Sequence, residues 1–374
     1  MINILISGYL GFRNSGDESI LYAIQKNIKE NRSDVHITAL SKRPEETIQN
    51  YKINAIPAFN PFKVIKEIHR SDILLSGGGT LLQDGTSTRS LLYYLSVITL
   101  GKMMRKKVML YANGIGPLTN RINRRLVKWV ANGVEVITLR EEISFKELTQ
   151  LGVSKPRIEV AADPVFTLDG VSKEEAARIL RDDDISTDQP FVVVSFREWK
   201  DCKGLYKKMA DICDTLIKKY QYNILFIPMQ RPSDIHVANR IKEMMRHQQR
   251  AFVLKRKYTP DEIIGMIGLA QLVMSMRLHT LLYAGIKNVP MIGFVYDPKV
   301  QYYLDILKMP TAGDIRSIDV EYVMKQVDDL NKKYETKVEE LSNISRELYV
   351  LADKNDKHLT DLIEQVKAGR KYNG

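Results

Sequence analysis

Arg277 and His279 stand two residues apart in the segment LVMSMRLHTLLYAG, residues 272–285. The segment opens as an apolar run, turns polar at Ser275, Arg277 and His279, and continues as a helix-like run stopped by Gly285. It reads as a buried strand, a loop at its carboxyl end, and a helix. Ligands of open α/β sheets sit at the carboxyl ends of strands, near helix N-termini that favour anions. A guanidinium there matches carboxylate or phosphate with its planar fork, and an imidazole can hold or move a proton. The pair suits an anionic substrate whose reaction also needs a proton moved. The structural alternative is a buried ion pair beside a core histidine.

Other residues of the same kind fall after other apolar runs. Arg140 follows 136–139, and Lys299 closes Tyr296-Asp297-Pro298-Lys299 after 291–294. Both could bind anions. Two acids could serve as a base: Asp84 first, Asp17 second. Asp17 could equally complement a helix dipole, and Asp84 could cap its own loop. Gly77, Gly78 and Gly79 follow the run 73–76. Consecutive glycines let backbone N–H groups approach a ligand, or else make a tight strand-to-helix turn. With Asn113 of the NGIGP segment (113–117) they are assigned to a substrate pocket. Asp163, before a proline, reads as structural. The acids at 182–184 read as a solvated linker, and no metal-ligand spacing accompanies them, so metal-independent chemistry is expected.

The elements that must hold these residues repeat one pattern. Apolar strands at 3–7, 35–40, 55–58, 73–76, 108–112 and 136–139 alternate with glycine or charged loops and amphipathic helices. Ser15 with Glu18 suggests a capping box opening the first helix. After a polar stretch the pattern restarts, with strands at 191–195, 224–228, 252–254, 272–275 and 291–294; from Asp319 onward everything reads as helical. The fold class is α/β: two Rossmann-like, doubly wound parallel-sheet domains facing a cleft. The boundaries are 1–170, a linker at 171–190, 191–348, and a C-terminal helix and tail at 349–374. Gly8, Gly11 and Gly16 do not make the GxGxxG fingerprint, which argues against a nicotinamide enzyme.

Composition fits a globular chain: 44% hydrophobic and 27% charged over 374 residues. Fifty-six Lys and Arg against 45 Asp and Glu give +11, a surplus suited to an anionic partner. It concentrates at 101–130, with eight cations and no acid. Cys202 and Cys213 are too few for a disulfide framework, in keeping with a reducing cytoplasm. The N-terminus lacks signal-peptide features, and the longest apolar run, 91–104, is too short to span a bilayer. The two tryptophans form no stacking platform for nucleic acid, so no nucleic-acid partner is expected.

Six motifs in order resemble the polysaccharide pyruvyl transferases, CsaB type: GYLGFRNSGDE near the start, SGGGTLLQD (76–84), NGIGP (113–117), TLREEIS (138–144), ADPVF (162–166) and SMRLHTLLYA (275–284). The resemblance implies a GT-B-like fold and transfer of pyruvate from phosphoenolpyruvate to a sugar as a ketal, releasing phosphate. It implies no cofactor beyond that donor. It places donor-binding arginines at Arg140 and Arg277 and the family's histidine at His279, as phosphate holder or proton donor. For CsaB-like members it implies a β-N-acetylmannosamine acceptor on a lipid-diphosphate-linked precursor of a secondary cell-wall polymer, whose ketal anchors S-layer proteins. Such an enzyme would be cytoplasmic, with peripheral contact at the inner membrane face. The competing enzyme reading is a nucleotide-sugar glycosyltransferase on the same fold.

Overall fold

The apolar runs of the first 160 residues become parallel strands because helices cover both faces of each, which rewards unbroken Ile, Leu and Val. A computed structural model describes residues 1–85, 87–199 and 204–373; Cys202 and Gly374 lie outside them. The chain forms two compact units. One comprises Met1–Arg13, Asp17–Thr167 and Leu348–Gly374, the other Asn14–Gly16 and Leu168–Glu347.

In the first unit the elements run β1 (Ile2–Ser7), α1 (Ser15–Asn31), β2 (Val35–Ser41), α2 (Pro44–Tyr51), β3 (Asn54–Pro57), α3 (Pro61–Arg70), β4 (Ile73–Leu82), α4 (Thr88–Met103), β5 (Lys107–Ile115), α5 (Arg121–Ala131), β6 (Val136–Leu139), α6 (Glu142–Leu151) and β7 (Arg157–Val160). The sheet order is β3-β2-β1-β4-β5-β6-β7, with every pairing parallel. Its core packs Leu5, Leu74, Val108 and Ile137 of the sheet against Val64, Leu95, Val127 and Leu148 from α3 to α6. The strand order reverses between β1 and β4. That is the switch point where such sheets open a crevice.

Two sequence expectations change here. The triple glycine is not a loop beyond the strand. It lies within β4, with Gly78 and Gly79 at φ +64° and +76°, and the register with β5 shifts between Gly79 and Leu82. Close approach of α1 explains the residue type. A Cβ on Gly78 would collide with the Ile20 side chain, and one on Gly79 would lie 2.9 Å from Asp17 Oδ1. The first helix is not opened by a Ser15–Glu18 capping box either. Asn14 Oδ1 accepts from the Gly16 N–H, the Ser15 hydroxyl has no hydrogen-bond partner among the described residues, and Glu18 accepts from the Tyr51 hydroxyl.

The second unit contains α7 (Lys173–Asp182), β8 (Phe191–Ser195), α8 (Leu205–Tyr220), β9 (Asn223–Phe226), α9 (Ser233–Met244), β10 (Ala251–Val253), α10 (Pro260–Ile267), β11 (Leu272–Ser275), α11 (Leu278–Ile286), β12 (Met291–Val295), α12 (Pro298–Ile306), β13 (Thr311–Asp314) and α13 (Val320–Lys332); α14 (Tyr334–Asn373) follows. The order is β10-β9-β8-β11-β12-β13, again all parallel, reversing between β8 and β11. The polar stretch after residue 170 carries α7, capped by Ser172. The Thr259 cap of α10 forms a full capping box with Glu262. Strand β13, TAGD, has no apolar run to announce it. The end of α14 returns to the first unit, where Asn355 donates to the Ala162 carbonyl. Among the described residues no helix is long and apolar enough to cross a membrane.

Candidate functional site

In the second unit β11 ends at the switch point and delivers the segment that carries the chemistry. Ser275 shapes the turn. Its hydroxyl donates to the Ser195 carbonyl and accepts from the Arg277 N–H at 2.9 Å. Arg277 is then the N-cap residue of α11, and His279 lies in its first turn. The Arg277 side chain is buried and held side-on: Nε and Nη2 donate to the two oxygens of Asp234, at 2.9 and 2.5 Å, and Nη2 also reaches Gln230 Oε1 at 3.2 Å. Among the described residues Nη1 has no acceptor. Asp234 is in turn fixed by the N–H groups of Met229 and Gln230. One carboxylate therefore neutralises and orients the guanidinium while leaving one edge for an anion.

His279 is positioned from two sides. Its ring meets Tyr283 edge-on, centroids 6.3 Å apart, and Tyr283 is fully buried. The chain at Gly16 runs against the imidazole so closely that any Cβ there would collide with Nδ1. That segment is fixed by Ser15 N–H donating to the Met229 carbonyl at 2.7 Å. Lys299 lies in the first turn of α12, at the end of the neighbouring strand β12, where Asp297 caps the helix. Arg277, His279 and Lys299 thus share one rim of the second sheet, as the sequence suggested. The loops after β8 and β12 add a cluster that it did not: the Arg197 guanidinium lies 5.8 Å from the Tyr296 ring, and Trp199 meets the same ring edge-on at 5.2 Å.

In the first unit the switch point gathers Gly77 to Gly79, Asp17 and Arg140. A Cβ on Gly8 would lie 2.8 Å from the Gly77 carbonyl, so β1 and β4 leave their sheet in near contact. Arg140 is buried in a network: Nε donates to Glu141 at 3.0 Å, Nη1 to Asp163 at 2.7 Å and Nη2 to the Thr80 hydroxyl at 3.2 Å. Asp163 has the structural role the sequence suggested, as the partner that orients this arginine. Asn113 is fully buried and braces the β4–β5 irregularity, donating to the Ser76 carbonyl at 2.6 Å.

Asp84 is the sharpest departure from expectation. Its carboxylate accepts from Thr119 N–H and hydroxyl, Asn120 N–H and Asn123 Nδ2, at 2.9 to 3.1 Å. Burial alone would raise its pKa, but these hydrogen bonds outweigh that and hold it down to about 2. A carboxylate so committed caps the turn into α5 and is a poor proton acceptor. Asp17, the other acid singled out in the sequence, lies beside Gly79. Among the described residues no group of three or more His, Cys, Asp or Glu is placed to hold a metal. Cys213 is fully buried, and burial pushes its thiol pKa well up.

The family model of polysaccharide pyruvyl transferase matches residues 14–298. The chain belongs to that family. This pyruvyl transferase shares its fold with solved structures of other activities. Over 97% of this chain and 100% of the other, it matches UDP-GlcNAc 2-epimerase from Neisseria meningitidis bound to UDP-GlcNAc, with TM-score 0.65 and 11% identity. It matches the S. aureus MnaA–UDP co-structure over 96% and 95%, with TM-score 0.68 and 12% identity. It matches the Anabaena Alr3699/HepE complex with UDP and glucose over 98% and 100%, with TM-score 0.64 and 11% identity. These likenesses establish the GT-B-like class of two parallel-sheet α/β domains and, at such identities, nothing about substrate. No curated protein matches this pyruvyl transferase by sequence.

Proposed function

We propose that this pyruvyl transferase uses phosphoenolpyruvate as donor and forms a 4,6-ketal on a sugar, with release of phosphate. The observation that carries the reading is Arg277, clamped side-on by Asp234 with one edge uncommitted, two residues before His279 at the sheet's switch point. Arg277 and Lys299 bind the donor's carboxylate and phosphate. Arg140 belongs to the donor-binding set through the family resemblance, and its own network fixes its guanidinium.

The chemistry runs in two additions. The donor's methylene carbon takes a proton, with His279 as the candidate donor, and becomes a methyl group; the central carbon becomes an oxocarbenium centre. One sugar hydroxyl adds there and loses its proton. Phosphate then leaves with its bridging oxygen, and the second hydroxyl adds and gives up its proton, one of the two protons repaying the acid and the other leaving with phosphate. Asp17 is the candidate base for the hydroxyls. No cofactor and no metal is assigned a role, so chelation is expected to leave turnover intact.

The acceptor proposed is a β-N-acetylmannosamine of a lipid-diphosphate-linked secondary cell-wall polymer precursor, made at the cytoplasmic face of the membrane, with the finished polymer anchoring S-layer proteins. The test is phosphate release from phosphoenolpyruvate with and without a synthetic N-acetylmannosamine–N-acetylglucosamine lipid-diphosphate acceptor. Acceptor-dependent release and a product heavier by one pyruvylidene are expected. Turnover with a nucleotide sugar instead would move the chain to the glycosyltransferase reading. Replacing His279 by Ala should cost ~10²–10⁴ in rate, and near-normal turnover would remove it from the mechanism.

A further inference from the structure

The first unit carries a surface that its fold does not explain. On α5 the residues turned inward are Asn123, Val127, Val130 and Ala131. At 100° per residue, Arg121, Arg125, Lys128, Trp129 and Ile122 fall within one outward arc of about 120°. Ile122 and Trp129 are each 66% exposed, an expensive use of large apolar side chains on a helix that already has a buried face.

The apolar edge of that arc continues onto α4. Trp129 and Leu126 line a groove of about 380 Å³ against Leu92, Leu95 and Leu100 of α4. Met103, at the end of α4, is 74% exposed. The charged edge is equally one-sided. Among the described residues Arg121, Arg125 and Lys128 make no ion pair, whereas Arg124 is taken up by Glu147 and Lys102 by Glu135. No acid occurs between Asp84 and Glu135 to oppose them.

We infer that the outer face of α4 and α5 docks on an anionic lipid bilayer, with Ile122 and Trp129 entering the headgroup boundary and the three free cations binding lipid phosphates. A helix with large apolar side chains beside a band of Arg and Lys lies in a membrane interface, and neither element by itself would bind firmly. Charge decides among possible occupants. A second copy would bring an identical cationic face into self-repulsion, while a bilayer of anionic lipid is complementary along the whole arc. The inference gives a surface to the membrane-side acceptor proposed above, and rests on that reading only for its purpose, not for its physics.

Flotation of the full chain with vesicles tests it. Binding is expected to phosphatidylglycerol-containing vesicles, falling with added salt and absent from pure phosphatidylcholine. Arg121→Gln, Arg125→Gln and Lys128→Gln together should weaken partitioning on the order of 100-fold, at about 1 kcal/mol for each cation. Ile122→Ser with Trp129→Ser should also release the protein, with unchanged circular dichroism. Wild-type binding by either variant, or equal binding to neutral vesicles, overturns the inference. So does a dimer by light scattering that Trp129→Ser converts to monomer. Phosphate release with a water-soluble acceptor is measured in parallel, so failure of the enzymatic reading and failure of the docking surface are separately visible.

Discussion

Arg140 and Arg277 each stand at the carboxyl end of a parallel strand, Arg140 after β6 and Arg277 after β11, yet their surroundings differ in kind. Arg140 donates through all three nitrogens to protein groups and faces two fully buried carboxylates, Glu141 and Asp163. Among the described residues Arg277 faces one, Asp234, and its Nη1 donates to none. Counting these partners alone, Arg140 is set against two carboxylates and Arg277 against one. A side-on clamp by a single carboxylate leaves a guanidinium able to take an incoming anion. A guanidinium held on three sides acts first as the keystone of its own rim. Each arginine receives one acid from elsewhere in the fold, Asp163 or Asp234; what separates them is Glu141, the chain neighbour that gives Arg140 a second.

The largest effects should separate the two clusters by readout. Arg277→Ala is expected to cut kcat/KM for phosphoenolpyruvate by on the order of 10²–10³, the loss of a charge-assisted contact worth roughly 3–4 kcal/mol. Arg140→Met should instead show itself first in stability. Two buried carboxylates lose their countercharge, and breaking such a set by removing one partner costs about 3–5 kcal/mol. Thermal unfolding of both variants, alongside their kinetics, checks this. If Arg140→Met unfolds at the wild-type temperature and loses only donor affinity, the contrast collapses and the two arginines do the same work.

Asp234 sharpens the comparison at a smaller scale. As a positioning residue it should act on donor binding through Arg277. Asp234→Asn keeps an acceptor oxygen but removes the countercharge and one hydrogen-bond acceptor. About a tenfold rise in KM for phosphoenolpyruvate is expected, with kcat changed by less than about threefold. A fall in kcat at constant KM would mean that it serves the chemical step and not the arginine.

The two acids of the first unit make a third test. Asp17→Asn should lower kcat by ~10² or more if Asp17 takes the hydroxyl proton. Asp84→Asn should leave kcat within a few-fold and weaken the turn into α5 by about 1–2 kcal/mol, the range for a lost cap. The reverse ranking would restore Asp84 as the base, against its four hydrogen bonds.

The sequence carried the strands, the paired sheets and the Arg277–His279 rim because each is local: an apolar run, a polar break and a helix follow one another within 14 residues. It could not carry what is made by distant partners. Nothing in the sequence around Asp84 announces that Thr119, Asn120 and Asn123 will surround it. Nothing around Asp234 announces Arg277, although an acid in a helix's first turn, just beyond a strand end, was the available signal. The glycines were legible as close approach but not as to what approaches. The answer is Ile20 and Asp17 of α1, not a ligand-facing loop. Strand β13 escaped because an edge strand held by a single neighbour can form without an apolar run.

The smallest expected effect concerns the helix packed on the first sheet. Asp356, on the returning end of α14, accepts from the Tyr111 hydroxyl at 2.6 Å and from Asn27 Nδ2 at 2.5 Å. Burial of its carboxyl raises its pKa to about 6, the two hydrogen bonds offsetting only part of that effect. A carboxyl whose pKa is raised by folding favours the folded state below its unfolded value near 4, and loses that contribution as pH rises through 6. Above pH 6 the docked helix therefore carries a buried charge that Asn would not. Asp356→Asn should stabilise the first unit at pH 8 by about 1–2 kcal/mol, since the residue retains some solvent contact, and give no gain at pH 4. Melting curves of wild type and variant at the two pH values decide it. An equal gain at both would place the effect in side-chain packing, and a loss at pH 8 would mean that the charged carboxylate is what holds Tyr111 and Asn27 in place.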